Sequence, residues 1–226
     1  MVKMTKLEAT QNVGGLSHPS KMPGPAFGLA ATKCKTGSKL AKVEGSVCHD
    51  CYALKGRYVM PNVAAAHARR LEILVAALSS PAAMEIWIQS MSRLMEGVPL
   101  YRWHDSGDIQ SADHLSLIVA VCIATPATRH WLPTKELKLL KQWRAAGGIV
   151  PSNLTIRVSG HMVDQTPGTT ASPQGSMVYT DVAALPPEAH VCPIYSKPEL
   201  AAKTCTDAGC NACWQNDVAL VAYPKH

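Results

Sequence analysis

Between residues 99 and 160 the chain alternates strand, helix, strand, helix, strand, and that alternation constrains the fold more than any other feature. PLYRWHD (99–105) reads as a strand, SADHLSLIVAVCIAT (111–125) as a helix and TRHWLPT (128–134) as a strand. KELKLLKQWRAAGG (135–148) then reads as a helix closed by glycines, and NLTIRVSG (153–160) as a third strand. Strands separated by helices of roughly ten to fifteen residues argue for parallel βαβ units with right-handed crossovers. The predicted class is α/β, as an open parallel sheet or an incomplete (βα) barrel. A full eightfold barrel typically needs about 250 residues, and this chain has 226.

Two helices are expected upstream. One begins near Asn62 and carries Val63, His67, Leu71, Leu74 and Leu78 at helical spacing; Ser80-Pro81 opens the next, which ends at Gly97 and buries much of Met84, Ile86, Trp87, Met91 and Leu94. The first sixty residues show no period of strand or helix and read as an irregular arm that something other than packing must hold. Residues 161–186 read as a long loop with a short strand at Met177–Thr180, and DVALVAY near the end as a last strand. A single domain over 1–226 is expected, made of the arm 1–60, a helical and βα core 61–186 and a cysteine-rich tail 187–226.

Charge is concentrated in the arm. Residues 1–60 hold nine of the 22 Lys and Arg and only three of the 16 acids, while the rest is balanced, so the formal +6 resides in the arm. Such a lobe can face a negatively charged cluster, neutralise nucleic-acid phosphates or simply form a solvated surface. The N-terminus lacks the apolar stretch of a signal peptide, and no apolar run reaches the roughly 18 residues of a membrane span. A soluble, cytoplasmic chain with no membrane partner is expected. In that compartment clustered cysteines point to metal more than to disulfides.

The 8 cysteines fall into two groups and a singleton. Cys34, Cys48 and Cys51 precede the βα region; Cys192, Cys205, Cys210 and Cys213 follow it; Cys122, within LIVAVCIAT, reads as a small buried hydrophobe. Each group contains a Cys-x2-Cys pair, which sets two sulfurs on one tight turn and suits either one ion or two corners of a cluster. Two readings stay open: at least one [4Fe–4S] cluster, with three plus four ligands allowing two, or a structural zinc ion on Cys48, Cys51, Cys210 and Cys213. A thioredoxin-type dithiol is disfavoured because Cys48-x2-Cys51 does not follow a strand. His49, His161, His190 and His226 lie near these segments, and each alone reads as a surface or satisfied core histidine. Met162 and Met177 read as packing.

KMPGPAFGLAATKCKTGSKL, GSVCHDCYALKGRY, RWHDSGDIQS, WLPTKE, NLTIRVSG and the terminal CNACW together resemble the phage gene-product-88 family over nearly the whole chain. That resemblance implies a phage or prophage origin, and hence a host cytoplasm, but no settled activity. A more distant likeness is to radical SAM enzymes, through Cys48, Cys51 and the following Tyr52-Ala53. It implies an open iron that holds S-adenosylmethionine and a C-terminal auxiliary cluster on Cys192 to Cys213. The usual Cys-x3-Cys-x2-Cys is stretched here to Cys-x13-Cys-x2-Cys, and no glycine-rich SAM-binding strand is apparent.

Beyond the carboxyl ends of parallel strands lie the loops that carry function. Arg102, His104, Asp105, Ser106 and Asp108 occupy the first such end, Thr134, Lys135 and Glu136 the second, and Arg157 and Ser159 the third. Arg102, Lys135 and Arg157 are candidates to bind an anionic cofactor or small-molecule ligand, with His104 or Asp105 as acid or base. An internal network that fixes strand ends accounts for the same residues. Two functions follow from different classes: an iron–sulfur protein with electron-transfer or radical SAM-like use and a redox partner, or a zinc-stapled module that engages nucleic acid or a host protein through residues 1–60.

Overall fold

The computed structural model describes residues 4–168, 171–201 and 203–225. Seven parallel strands form one open sheet in the spatial order β1-β2-β3-β4-β5-β7-β6. They are β1 (Ala26–Phe27), β2 (Leu100–Trp103), β3 (Arg129–Thr134), β4 (Leu154–Ser159), β5 (Gly175–Tyr179), β6 (His190–Val191) and β7 (Leu220–Pro224). The sheet does not close, so of the two expected architectures the open one holds.

The helices are α1 (Lys6–Val13), α2 (Lys35–Leu40), α3 (Pro61–Ala77), α4 (Pro81–Leu94), α5 (Ala112–Ala124), α6 (Leu137–Ala145) and α7 (Pro193–Ser196). Helix α4 starts where Ser80 Oγ accepts from Ala83 N and Pro81 presets the first turn. Helix α5 starts where Ser111 Oγ accepts from His114 N. Helix α5 packs between α4 and α6, so it is apolar around most of its circumference. Ile86, expected in the core, is half exposed, because α4 turns Trp87 and Met91 inward instead.

The arm is more ordered than its lack of period suggests. Thr5 and Glu8 form a reciprocal capping box that starts α1, and β1 adds to the sheet beside β2. Thr5-x-x-Glu8 is legible in the sequence. The helix shows no apolar stripe because it buries only Ala9 and Val13. Hydrogen bonds tie the rest of the arm to the sheet: Thr36 N and Oγ1 donate to the Glu136 carboxylate at 2.7 and 2.8 Å. Ser46 also bridges antiparallel to Met162, flanked by bonds from Val47 N to His161 O and from Val163 N to Gly45 O, each 2.9 Å.

Register divides the sheet into two chemically distinct faces. Paired residues Tyr101 and His130, and Leu132 and Ile156, join Trp103 and Val158 on the helix-covered face, which holds the main apolar core. The alternate residues Arg102, Trp131, Thr155 and Arg157 face the other way, where the tail covers them. Cys122 is fully buried in the apolar core, as its surroundings in the sequence predict. Met177 likewise packs in a smaller cluster with Tyr179, Leu220 and Ala222.

Candidate functional site

The first cysteine group sits on the carboxyl ends of β2, β3 and β4, where the bonds to Glu136 and His161 carry the arm over the sheet. Cys34 and Cys48 approach one point. The position a Gly37 Cβ would occupy lies 3.0 Å from Cys34 Cβ, 3.5 Å from Cys48 Sγ and 3.7 Å from Cys34 Sγ, so both sulfurs border the bare backbone there. Burial pushes the Cys34 thiol well up, and Asp108, Cys51, Cys48 and Glu136 add to the rise. Burial raises Cys48 too, against the opposing charge of Lys135. The Lys135 amine is pulled down by burial and held up by Cys48, Asp108, Cys51 and Cys34, while it donates to Gly160 O at 2.6 Å. Thiols raised in this way are not reactive nucleophiles on their own. They fit groups that ionise when a cation supplies the compensating charge.

Asp108 anchors this end. Its carboxylate accepts from Thr134 Oγ1 at 2.7 Å and Lys135 N at 2.8 Å, and burial still lifts it to about 6. Asp105 is buried beside it in sequence, with Tyr58 Oη donating to Oδ2 at 3.3 Å while Oδ1 has no hydrogen-bond partner. A Cβ at Gly28 would lie 2.6 Å from Asp105 Oδ1 and 2.7 Å from His67 Nε2, so the strand-end carboxylate and the α3 imidazole converge across bare backbone. His104 is buried with its backbone at φ 56°, in the left-handed region, and neither ring nitrogen has a partner.

The second group lies toward the edge of the sheet formed by β6 and β7. Cys192 follows β6, Cys210 Sγ is 3.4 Å from His190 Nε2, and Cys213 Sγ is 3.0 Å from Tyr223 Oη. Burial raises Cys205 to about 11, reinforced by Cys192 and Cys210, and raises Cys213 to about 12. The turn at 212–215 is gripped by Arg157, whose guanidinium donates to the carbonyls of Cys213, Ala212, Gln215, Val218 and Gly175 at 2.7–3.2 Å. Every N–H of Arg157 is thereby directed at main chain. His161 Nε2 lies 3.4 Å from Lys135 O, His49 is exposed, and His226 lies outside the described residues.

Arg102 stands between the two groups. It donates to Tyr52 Oη at 3.1 Å, lies 4.6 Å above the Trp131 ring and feels the charges of Asp105 and Tyr223, while its Nε has no partner. Tyr52, directly after Cys51, donates to Asp105 O at 2.7 Å. Sequence reasoning misses Tyr58, His67 and Tyr223 as members of this rim. The one signal for Tyr52 is its place beside the Cys-x2-Cys pair.

Among the described residues, no three His, Cys, Asp or Glu side chains stand close enough together to ligate one metal ion. That holds for Cys34, Cys48 and Cys51 and for Cys192, Cys205, Cys210 and Cys213 as much as for the set Cys48, Cys51, Cys210 and Cys213. Fold and site together define an open parallel α/β protein with two cysteine groups and a bridging arginine. The model of the family described as gene product 88 matches residues 2–216, and the chain belongs to that phage family. Comparison with curated proteins found no match, and comparison with solved structures found none either. None of these comparisons supports the likeness to radical SAM proteins. Among the described residues no helix is long and apolar enough to cross a membrane.

Proposed function

We propose that the protein is a phage iron–sulfur protein of the host cytoplasm, carrying a [4Fe–4S] cluster on Cys34, Cys48 and Cys51 and a second on Cys192, Cys205, Cys210 and Cys213. The observation that carries this reading is the sorting of seven free thiols into two groups, each beside a buried cation, Lys135 for the first and Arg157 for the second. A cubane spreads its thiolate ligands over separate iron corners, so it accepts a wider sulfur spacing than a single tetrahedral ion does. Three ligands leave one iron of the first cluster open to a small-molecule ligand. Arg102, His104, Asp105 and Lys135 are the polar groups around that opening, with Arg157 bracing the tail. S-adenosylmethionine is one candidate for the open iron and an external one-electron carrier is the partner this chemistry requires.

Anaerobic purification with iron, sulfide and zinc analysis tests the reading. The expected result is about four irons and about four labile sulfides per cluster, with a visible absorbance bleached by dithionite. Cys48→Ser with Cys51→Ser should remove about half of the iron. Stoichiometric zinc without iron would overturn the assignment. Addition of S-adenosylmethionine to the reduced protein should alter its EPR spectrum if that molecule is the ligand, and an unchanged spectrum removes it from consideration.

A further inference from the structure

We infer that the arm and the tail together present a binding surface for single-stranded nucleic acid, with Tyr52 and Tyr195 as stacking platforms for bases and Lys33, Lys35, Lys39 and Lys42 as contacts for phosphates. This surface goes beyond the iron–sulfur reading and does not depend on it. Along the sequence the lysines of residues 33–42 have no aromatic neighbour. Folding supplies one, because the turn Ala31–Lys33 packs against the turn Tyr52–Leu54 and so brings the lysine segment alongside Tyr52. Tyr52 is 50 % exposed although its hydroxyl is fixed at two points, donating to Asp105 O at 2.7 Å and accepting from Arg102 Nη2 at 3.1 Å. Ordering a mobile side chain costs affinity, and this accessible ring is already held. Tyr195, in α7, is 42 % exposed, and both the charge of Arg102 and the hydroxyl of Tyr52 act on its own hydroxyl, so the two rings are neighbours around one arginine. Lys21 Nζ lies 4.9 Å from the centre of the Tyr195 ring and adds a cation to the same surface.

The lysines lack partners within the chain. Asp50 is taken by Lys55 at 3.0 Å and by Lys225 at 3.8 Å, and Glu8 is taken by the capping box at Thr5. Lys33, Lys35, Lys39 and Lys42 are exposed, and among the described residues none of them forms an ion pair. Lys35 and Lys39 stand one turn apart on one face of α2, which Thr36 holds to the sheet through Glu136. Glu44 is the sole acid between residues 31 and 49. Like charges fixed this close repel one another, and they gain from a polyanion that releases its condensed counterions on binding. The tyrosines decide which polyanion fits. A duplex hides its base faces within the stack and an acidic peptide has none, whereas a single strand offers a π-face at every nucleotide to a ring that is sequence-tolerant.

The test is fluorescence anisotropy of the full chain with labelled oligo(dT) and oligo(U) of about 20 nucleotides, and with the matching duplex, between about 50 and 200 mM salt. Binding of either single strand is expected, weakening steeply with salt, with the duplex held at least about tenfold more loosely; the tighter of the two strands identifies DNA or RNA as the source. The triple variant Lys35→Gln/Lys39→Gln/Lys42→Gln should make the log–log salt slope shallower by about 2. Tyr52→Leu should weaken binding about tenfold and leave the slope unchanged. Should Tyr52→Leu lower the melting temperature, Tyr195→Leu, whose ring lies at the surface, takes its place with the same expected loss. Failure to bind at the lowest salt overturns the surface, as do duplex held as tightly as single strand, displacement of the strand by polyglutamate at equal charge, an unaltered slope in the lysine variant, or wild-type affinity in the tyrosine variants. Iron analysis of the same samples keeps the two readings apart. Protein without iron that binds the strand leaves this surface standing, and iron-loaded protein that ignores it leaves the iron–sulfur reading standing.

Discussion

Lowering the pH from 7 to about 4.5 should unfold this protein, because three of its core histidines are held neutral. His104 is pushed down to about 3 and His130 to about 4, first of all by burial, and His114 lies well below its ordinary value for the same reason. In the unfolded chain each would take up a proton at about 6.5. The unfolded state then binds more protons, so the stability these groups contribute is complete above pH 6.5 and is lost as pH falls toward their folded values. At about pH 4.5 His104 and His130 have each cost close to 3 kcal/mol, since every tenfold difference in proton affinity between the folded and unfolded states is worth about 1.4 kcal/mol, and His114 acts in the same direction. Asp108 works in the opposite sense. Held at about 6, it binds its proton in the folded state first, and so adds stability as pH falls from 6 to its ordinary 3.8. One such group returns roughly 2 kcal/mol at the same pH, so the histidines prevail. The net loss from His104 and His130 after that return is about 4 kcal/mol, to which His114 adds, a large share of the about 5–15 kcal/mol by which an ordinary domain is stable. Tryptophan fluorescence against pH should show the transition between about pH 5 and 4, and His130→Phe should move it lower by removing one of the three. A fold that persists to pH 3, or a His130→Phe curve that overlays the wild type, would contradict the account.

Replacing Arg157 should be the most damaging single change in the tail. Its five N–H groups end on five main-chain carbonyls, those of Ala212, Cys213, Gln215, Val218 and Gly175. The side chain is completely buried. Arg157→Met would strand those acceptors away from water, and hydrogen bonds to a charged donor are worth about 1.5–3 kcal/mol each. Loss of at least about 4 kcal/mol is expected after partial relaxation of the turn. Arg157→Lys should be nearly as harmful, because an ammonium has three donors on one atom and cannot span a planar fork. Urea unfolding measures the stability. Thiol labelling measures the local effect: Cys213 and Cys210 should react markedly faster in the variants than Cys34 and Cys48. A loss under about 1 kcal/mol with unchanged labelling would show that the grip is incidental.

The alternation of apolar strands and helices over 99–160 is enough to read a parallel α/β sheet, because those periodicities are local and each segment announces its own state. The grouping of cysteines is equally visible, and so is the burial of Cys122. The arm hides its order for a physical reason as well. Helix α1 buries two residues and β1 is two residues long, too little for a period to emerge, and their order comes from partners about 75 to 100 residues away: Arg102 and Trp103 for β1, Glu136 for Thr36. Strand β6, also two residues long, leaves no signal on the same ground.

Local sequence shows most of the residues that lie in the core, the strands and helices between residues 61 and 160, and the division of the thiols into two sets. It takes the folded chain to show that Arg102, Trp131 and Arg157 share the face opposite the core, that Arg157 is committed to main-chain carbonyls, and that Arg102 stands between the sulfur groups. Period and capping are written in neighbouring residues. Which side chains meet across the sheet depends on strand register, and register is set by packing the whole chain at once.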